Sequence, residues 1–229
     1  MGLSSGAYGA GENAIKLLES KTKRSLELVK FEPLNSKLYI LIVKDKVNGY
    51  QTLLLSDEKE KNISVVNTFF STDNTDMQRV AQELAYVASY NFKIENSAKL
   101  NALFNAIPKE YAITIQGANN NRTYIVSDPM CVHCQEELAR IESRLEKSSV
   151  VMIPIGMLGE DSLQKAAEIQ AQIRGLKTPK DQIQLLRSIY SRAHKPSPQN
   201  QQYIKEVAQV TNQVKTLIDA VPFVYEMVR

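Results

Sequence analysis

The sequence predicts an α+β protein made of two domains joined by a helix. Three observations carry that expectation. A helical apolar period over residues 12–23 gives way to a period of two in SLELVKFEPL and KLYILIVKD, so a short helix leads into strands. A second, longer helical period runs through DMQRVAQELAYVASYNFKIENSAKLNALFNAIP. Beyond it the order is strand, strand, helix, strand, helices, strand, and both cysteines, Cys131 and Cys134, stand where the second of these strands passes into a helix.

Composition narrows the function classes. At 229 residues and 43% apolar composition, the chain is long enough for one large domain or two small ones with a core each. Its 28 Lys and Arg against 25 Asp and Glu leave a net charge of +3, too slight for the basic footprint of a nucleic-acid binder, so no nucleic-acid partner is expected. No apolar run reaches membrane-spanning length. The start, MGLSSGAYGAG, lacks the apolar stretch of a signal peptide, and its Gly and Ser content suggests a flexible end over residues 1–11. If the protein is exported, this is expected to be a mature or trimmed form.

In the first domain, residues 12–72, Ile15, Leu18 and Thr22 recur at helical spacing, and GYQTLLLSDEK and ISVVNTFF continue the strand signal between charged or Asn-containing turns. The core of so small a helix-plus-meander unit is thin, which argues for pairing with a second copy. Residues 73–109 read as a linker helix with Val80, Leu84, Val87, Leu100, Leu103 and Phe104 on one period, an interruption near Asn91, a cap at Asp76 or a nearby Thr, and an end at Pro108. The alternative is a core helix pair of one larger domain. In residues 110–229, YAITIQ and RTYIVS flank the turn GANNN, the CxxC segment opens a helix through about Lys147, and SVVMIPIG is a buried strand. Helices follow over Asp161 to Arg174, Thr178 to Ala193 and Pro198 to Ile218, broken at KTP and KPSP, before a final strand in VPFVYEMV.

The chemistry concentrates in SDPMCVHCQEE. Two cysteines in a CxxC that begins a helix can close a disulfide between adjacent turns and open it again. Cys131, at the helix start, faces unpaired N–H groups and the positive end of the helix dipole, which favour thiolate over thiol. Each unit by which a thiol is made more acidic is worth roughly 1.4 kcal/mol of preference for the ionised form, and stabilising the reduced state makes the disulfide more oxidising. Cys134, one turn further in, is the resolving thiol. Val132 and His133 lie between them; a protonated His133 adds positive charge near Cys131, or else the ring lies on the exposed face of the turn. Asp128 is either a proton acceptor near Cys134 or a turn former. Val221 and Pro222 form an X-Pro bond where a cis peptide can occur, or simply a strand start. Structural zinc wants four ligands, and this chain offers one CxxC, His133 inside it and the distant His194. A purely structural bridge over so short a loop would restrain the unfolded chain little. No metal and no other cofactor is expected.

TYIVSDPMCVHCQEEL resembles the strand, DPxCxxC turn and helix of the periplasmic DsbG and DsbC disulfide isomerases. VPFVYEM resembles their cis-proline strand, and VVMIPIGMLGEDSLQKAAEI the intervening strand and first inserted helix. The resemblance implies an N-terminal dimerisation domain, a linker helix and a C-terminal thioredoxin-like catalytic domain with inserted helices. It further implies Cys131 as nucleophile, Cys134 as resolving cysteine, Pro222 as a cis-proline facing the thiols, and a V-shaped homodimer whose cleft accepts unfolded substrate. His133 and Val221 look more like the matching positions of DsbA-type oxidases, since the isomerases usually have Thr before the proline. The family continues beyond the position of Arg229 through another strand and a helix, so the domain is expected to be trimmed or its sheet to end differently.

The expectation is therefore a periplasmic thiol:disulfide oxidoreductase that introduces or isomerises disulfides in unfolded or misoxidised exported proteins, recharged by a membrane redox partner. Rival readings are a dimeric chaperone-like module in which the thiols are secondary, and a zinc-binding interaction domain.

Overall fold

The computed structural model of the chain describes residues 9–196 and 200–226. Most of the expected flexible end, the Pro198 helix start with part of the KPSP break, and the last residues of the final strand lie outside them. The chain divides into two compact units, Met1–Asn96 and Ser97–Arg229.

In the first unit, helix α1 (Glu12–Thr22) precedes an antiparallel meander of β1 (Leu26–Pro33), β2 (Leu38–Asp45), β3 (Gln51–Asp57) and β4 (Ile63–Val65), followed by α2 (Asn74–Glu95). Glycine at the N-cap of α1 has no side chain to offer, so the Glu60 carboxylate reaches over from the β3–β4 turn and accepts the Gly11 and Ala14 N–H groups at 3.0 Å each. The sheet is covered on both faces. Leu41, Val43 and Leu54 pack against Ala14, Ile15 and Leu18 of α1. Ile40, Ile42, Leu53 and Leu55 pack against Val80, Leu84 and Val87 of α2. The expected thin core is thus corrected: the unbroken apolar runs in β2 and β3 are those of strands buried on two sides, and α2 supplies the second cover.

The expected linker over 73–109 is divided between the two units. Asp73, not Asp76, caps α2, accepting the Thr75 and Asp76 N–H groups. The fully buried Asp76 instead accepts the Asn35 N–H at 2.9 Å and the Ser36 N–H at 2.8 Å, pinning the β1–β2 turn. Nor does Asn91 interrupt the helix. Its carboxamide exchanges two 2.8 Å bonds with the backbone of Gln51. Continuing the β3–β4 register would bring Thr68 opposite Gln51, and Asn91 already occupies that edge, so β4 stops at Val65 and the expected strand through NTFF does not form. The break falls at Asn96, whose N–H and side chain both turn back to the Phe92 carbonyl.

The second unit comprises α3 (Ser97–Ala106), β5 (Ile113–Ile115), β6 (Arg122–Ser127), α4 (Val132–Ala139), α5 (Ile141–Leu145), β7 (Ser149–Pro154), α6 (Glu160–Ile173), α7 (Pro179–Tyr190), α8 (Gln201–Lys215) and β8 (Phe223–Glu226). Its sheet has the order β5-β7-β6-β8, with β6 and β7 parallel and both outer strands antiparallel to them. Ile125 of β6 and Val150 and Met152 of β7 enter a core with Cys134, Leu138 and Ile141, closed by Ile169 and Ile173 of α6 and Leu186, Ile189 and Tyr190 of α7. Each fully buried aliphatic chain there is worth roughly 1.5–3 kcal/mol. Phe104 of α3 stacks on Tyr124 and Tyr225, alternate in register with that core. The single helix expected from the CxxC to Lys147 is two: α4 ends at Ala139 with Arg140 as its C-cap, and the Arg187 guanidinium of α7 donates to the Leu138 and Ala139 carbonyls at that end.

Candidate active site

The strand order sets the site. β6 ends at Ser127, the chain turns through Asp128, Pro129 and Met130, and Cys131 becomes the N-cap of α4. Antiparallel pairing puts Phe223 of β8 opposite Val126, so the preceding Val221–Pro222 bond, which is cis, reaches the same turn. The Cys131 thiol donates to the Val221 carbonyl at 3.5 Å. Both cysteines are free thiols, Cys131 partly exposed and Cys134 fully buried.

Cys134 is held protonated. Burial pushes its thiol up to about 12, and the hydrogen bond and charge of Cys131 push the same way; the Asp128 N–H, 3.3 Å from Sγ, and the Ser127 hydroxyl pull against them. The thiol one turn in from the helix mouth therefore keeps its proton. Cys131, at the mouth, has no side-chain cap competing for the N–H groups of α4.

Asp128 is fully buried and its carboxylate accepts four hydrogen bonds: Met130 N–H at 2.8 Å, Ser162 Oγ at 2.7 Å, Met157 N–H at 2.7 Å and Leu158 N–H at 2.9 Å. It ties the CxxC turn to the β7–α6 loop and to α6, and with Cys134 it shares only its own backbone N–H. His133 points outward, 76% exposed at its side chain, with Nδ1 3.1 Å from the Glu136 carboxylate one turn on. Val132, 42% exposed, Met130 and Leu158 leave an apolar surface at the turn and at the loop Asp128 holds.

Three residues that sequence reasoning did not single out complete the arrangement: Ser127, Ser162 and Tyr190. Ser127 closes an otherwise apolar strand beside the DPxC turn, a position that could have drawn notice. Tyr190 lies sixty-three residues along the chain from Ser127, and nothing local in the sequence connects the two. Among the described residues, no group of three or more His, Cys, Asp or Glu side chains is placed to hold a metal ion.

Residues 14–100 match the family described as disulfide isomerase DsbG, N-terminal. Among solved structures, Helicobacter pylori DsbG is 34% identical, with TM-score 0.52 over 93% of this chain and 99% of that one. The Wolbachia pipientis thiol-disulfide exchange protein α-DsbA2 is 15% identical, with TM-score 0.43 over 60% of this chain and 86% of that one. A linker-deletion variant of Proteus mirabilis ScsC is 12% identical, with TM-score 0.37 over 69% and 88%. The last two are too distant to bear on the argument. Comparison with the curated proteins finds no match. Identity of about a third over nearly the whole of both chains, together with the matched N-terminal domain, makes this chain a member of the DsbG family of thioredoxin-fold thiol–disulfide oxidoreductases.

Proposed function

We propose that this protein introduces or isomerises disulfide bonds in exported proteins through the Cys131–Cys134 pair. The observation that carries the reading is the asymmetry of the two thiols: Cys131 is partly exposed at a helix mouth, against the carbonyl of Val221, while Cys134 is buried behind it with its proton held. In the oxidising direction a substrate thiolate attacks Cys131 Sγ of the disulfide, the Cys131–Cys134 bond breaks, and Cys134 leaves as thiolate. A second substrate thiolate then attacks the substrate sulfur, so the substrate gains a disulfide and the pair is left reduced. In isomerisation the Cys131 thiolate attacks a wrong substrate disulfide, and a different substrate thiolate displaces it. Val132 and His133 follow Cys131 in the first turn of α4, Val221 accepts its thiol hydrogen bond and precedes the cis Pro222, and Asp128 fixes the turn that carries it.

The reading places the protein in the periplasm as a homodimer joined through its first unit, acting on unfolded or misoxidised chains and reset by a membrane redox partner. Among the described residues no helix is long and apolar enough to cross a membrane, which fits such a site of action. Sedimentation at micromolar concentration showing monomer alone would remove the dimer. For the chemistry, Cys131→Ser is expected to abolish refolding of a scrambled disulfide protein, and Cys134→Ser to accumulate covalent adducts at Cys131. Equal activity in the two variants would refute the assignment.

The exposed Met130, Val132 and Leu158 support a second activity, holding unfolded chains without thiol chemistry. Suppression of aggregation that survives in the Cys131→Ser, Cys134→Ser double variant would establish it.

A further inference from the structure

A loop leaving a core must have its backbone N–H groups met, and the four that follow β7 are met by two sets of partners. Ile155 N–H donates to the Ser127 carbonyl at 2.9 Å, and Met157 and Leu158 N–H donate to the Asp128 carboxylate at 2.7 and 2.9 Å. Gly156 N–H, between them, donates instead to Thr211 Oγ1 of α8 at 3.0 Å. Gly156 has no room to shift towards α6, because a Cβ there would lie 2.5 Å from Leu163 Cγ and 2.7 Å from its Cα. The buried stripe of α8 reads Val207, Val210, Thr211 and Val214, and a valine at 211 would fill nearly the same volume. The hydroxyl is therefore the feature that asks for an explanation, and Gly156 N–H is its partner.

We propose that Thr211 is a positioning residue for Cys131: its hydroxyl fixes Gly156, the loop then presents the Met157 and Leu158 N–H groups to Asp128, and Asp128 sets the turn that places the thiol at the mouth of α4. The last link is direct, since the Asp128 carboxylate accepts Met130 N–H at 2.8 Å and its carbonyl accepts Cys131 N–H at 3.1 Å. The proposal rests on the reading of Cys131 as the exchanging thiol. Thr211 acts through these hydrogen bonds and takes no part in the exchange of bonds between sulfurs. Its contribution is geometric. The N–H groups at the start of α4 favour a thiolate only while the sulfur stands at the helix mouth, so a slack turn costs reactivity at Cys131.

The titratable groups around Cys131 come from other residues than those the Thr211 variants change. Cys134 lies one turn on in α4, and His133 is turned outward to Glu136. The Asp128 carboxylate is spent on Met130, Met157, Leu158 and Ser162. Tyr190 of α7, in the core that Cys131 packs against, is bonded to Ser127, and the segment before β8 presents the Val221 carbonyl. A change in the ionisation of Cys131 on substitution at Thr211 therefore reports the turn.

Three variants of the full chain separate the hydroxyl from the packing. Thr211→Val keeps the volume and removes the acceptor, Thr211→Ser keeps the acceptor and removes a methyl, and Thr211→Ala removes both. Alkylation of reduced Cys131 by iodoacetamide is timed across pH, the site being read by mass spectrometry of quenched peptides. Thr211→Val and Thr211→Ala are expected to slow it about threefold at neutral pH, the factor carried by one hydrogen bond, and to move the midpoint of the profile up by about half a pH unit. Thr211→Ser is expected to keep the wild-type profile. An unmoved midpoint in Thr211→Val and Thr211→Ala would overturn the proposal, and so would a Thr211→Ser profile displaced as far as that of Thr211→Ala, because the methyl would then be what matters. If only Thr211→Ser folds, the hydroxyl serves the fold as a whole and the proposal fails too. If Cys131 of the wild-type chain is alkylated no faster than Cys134, the reading of Cys131 as the exchanging thiol fails, and that is seen before any variant is compared.

Discussion

Asp76 in the first unit and Asp128 in the second are both completely buried, and both spend their carboxyl oxygens on backbone N–H groups of a neighbouring turn. The surroundings differ. For Asp76, burial raises the carboxyl, but the N–H groups of Asn35 and Ser36, the Ser36 hydroxyl and the Arg79 charge outweigh it and hold the group below the usual carboxylate range. Around Asp128 the buried acids run the other way: burial raises Cys134 and Tyr190, and it raises Tyr111, with the Glu206 charge adding to it. The first unit thus uses buried charge to fasten a turn, while the second surrounds its turn with groups whose ionisation is deferred. A carboxylate can stay ionised because its donors are permanent. A resolving thiol has to stay neutral until an attack is due.

The comparison breaks most sharply at Asp128. Asp128→Ala strands three N–H groups and a hydroxyl, and about 3–5 kcal/mol of stability is expected to go with them in chemical denaturation, together with loss of thiol exchange. A variant that keeps exchange at wild-type rate would show that the turn needs no such anchor.

Asp76→Asn sharpens the other half. A carboxyl depressed in the folded state contributes stability that is present above its unfolded value, about pH 3.9, and lost as pH falls through the folded value. The wild-type first unit is therefore expected to weaken below about pH 4, and Asp76→Asn to flatten that dependence while leaving thiol exchange intact. Circular dichroism from pH 7 to pH 2 measures both curves; identical slopes would remove the linkage. The smallest effect is expected at Arg187. Its bond lowers the Glu142 carboxyl, but both side chains are about half exposed, so Arg187→Ala is expected to cost less than about 1 kcal/mol, chiefly through the uncapped end of α4.

Much of this was legible in the chain. The period change at residue 24 and the long period from residue 76 placed α1, the meander and α2, because those patterns are local and each face meets a single partner. The strand–CxxC–helix unit was legible for the same reason. What misled was long-range. The role of Asn91 depends on an open strand edge forty residues away, and a polar residue within an apolar period reads from sequence as a break. Asp76 reads as a helix cap because its partners at Asn35 and Ser36 belong to a turn that only the fold brings near. At the site the cysteines announce themselves, whereas Ser127 and Tyr190 are ordinary residues whose meaning comes from the distance between their oxygens.

The most direct measurement is the reduction potential of the Cys131–Cys134 pair in glutathione or dithiothreitol buffers of defined ratio. A working exchange pair predicts one two-electron transition between about −120 and −270 mV, the oxidising end marking a disulfide donor and the lower end an isomerase or reductase. A potential below about −300 mV, where structural disulfides lie, or thiols that stay reduced at every ratio, would contradict the account.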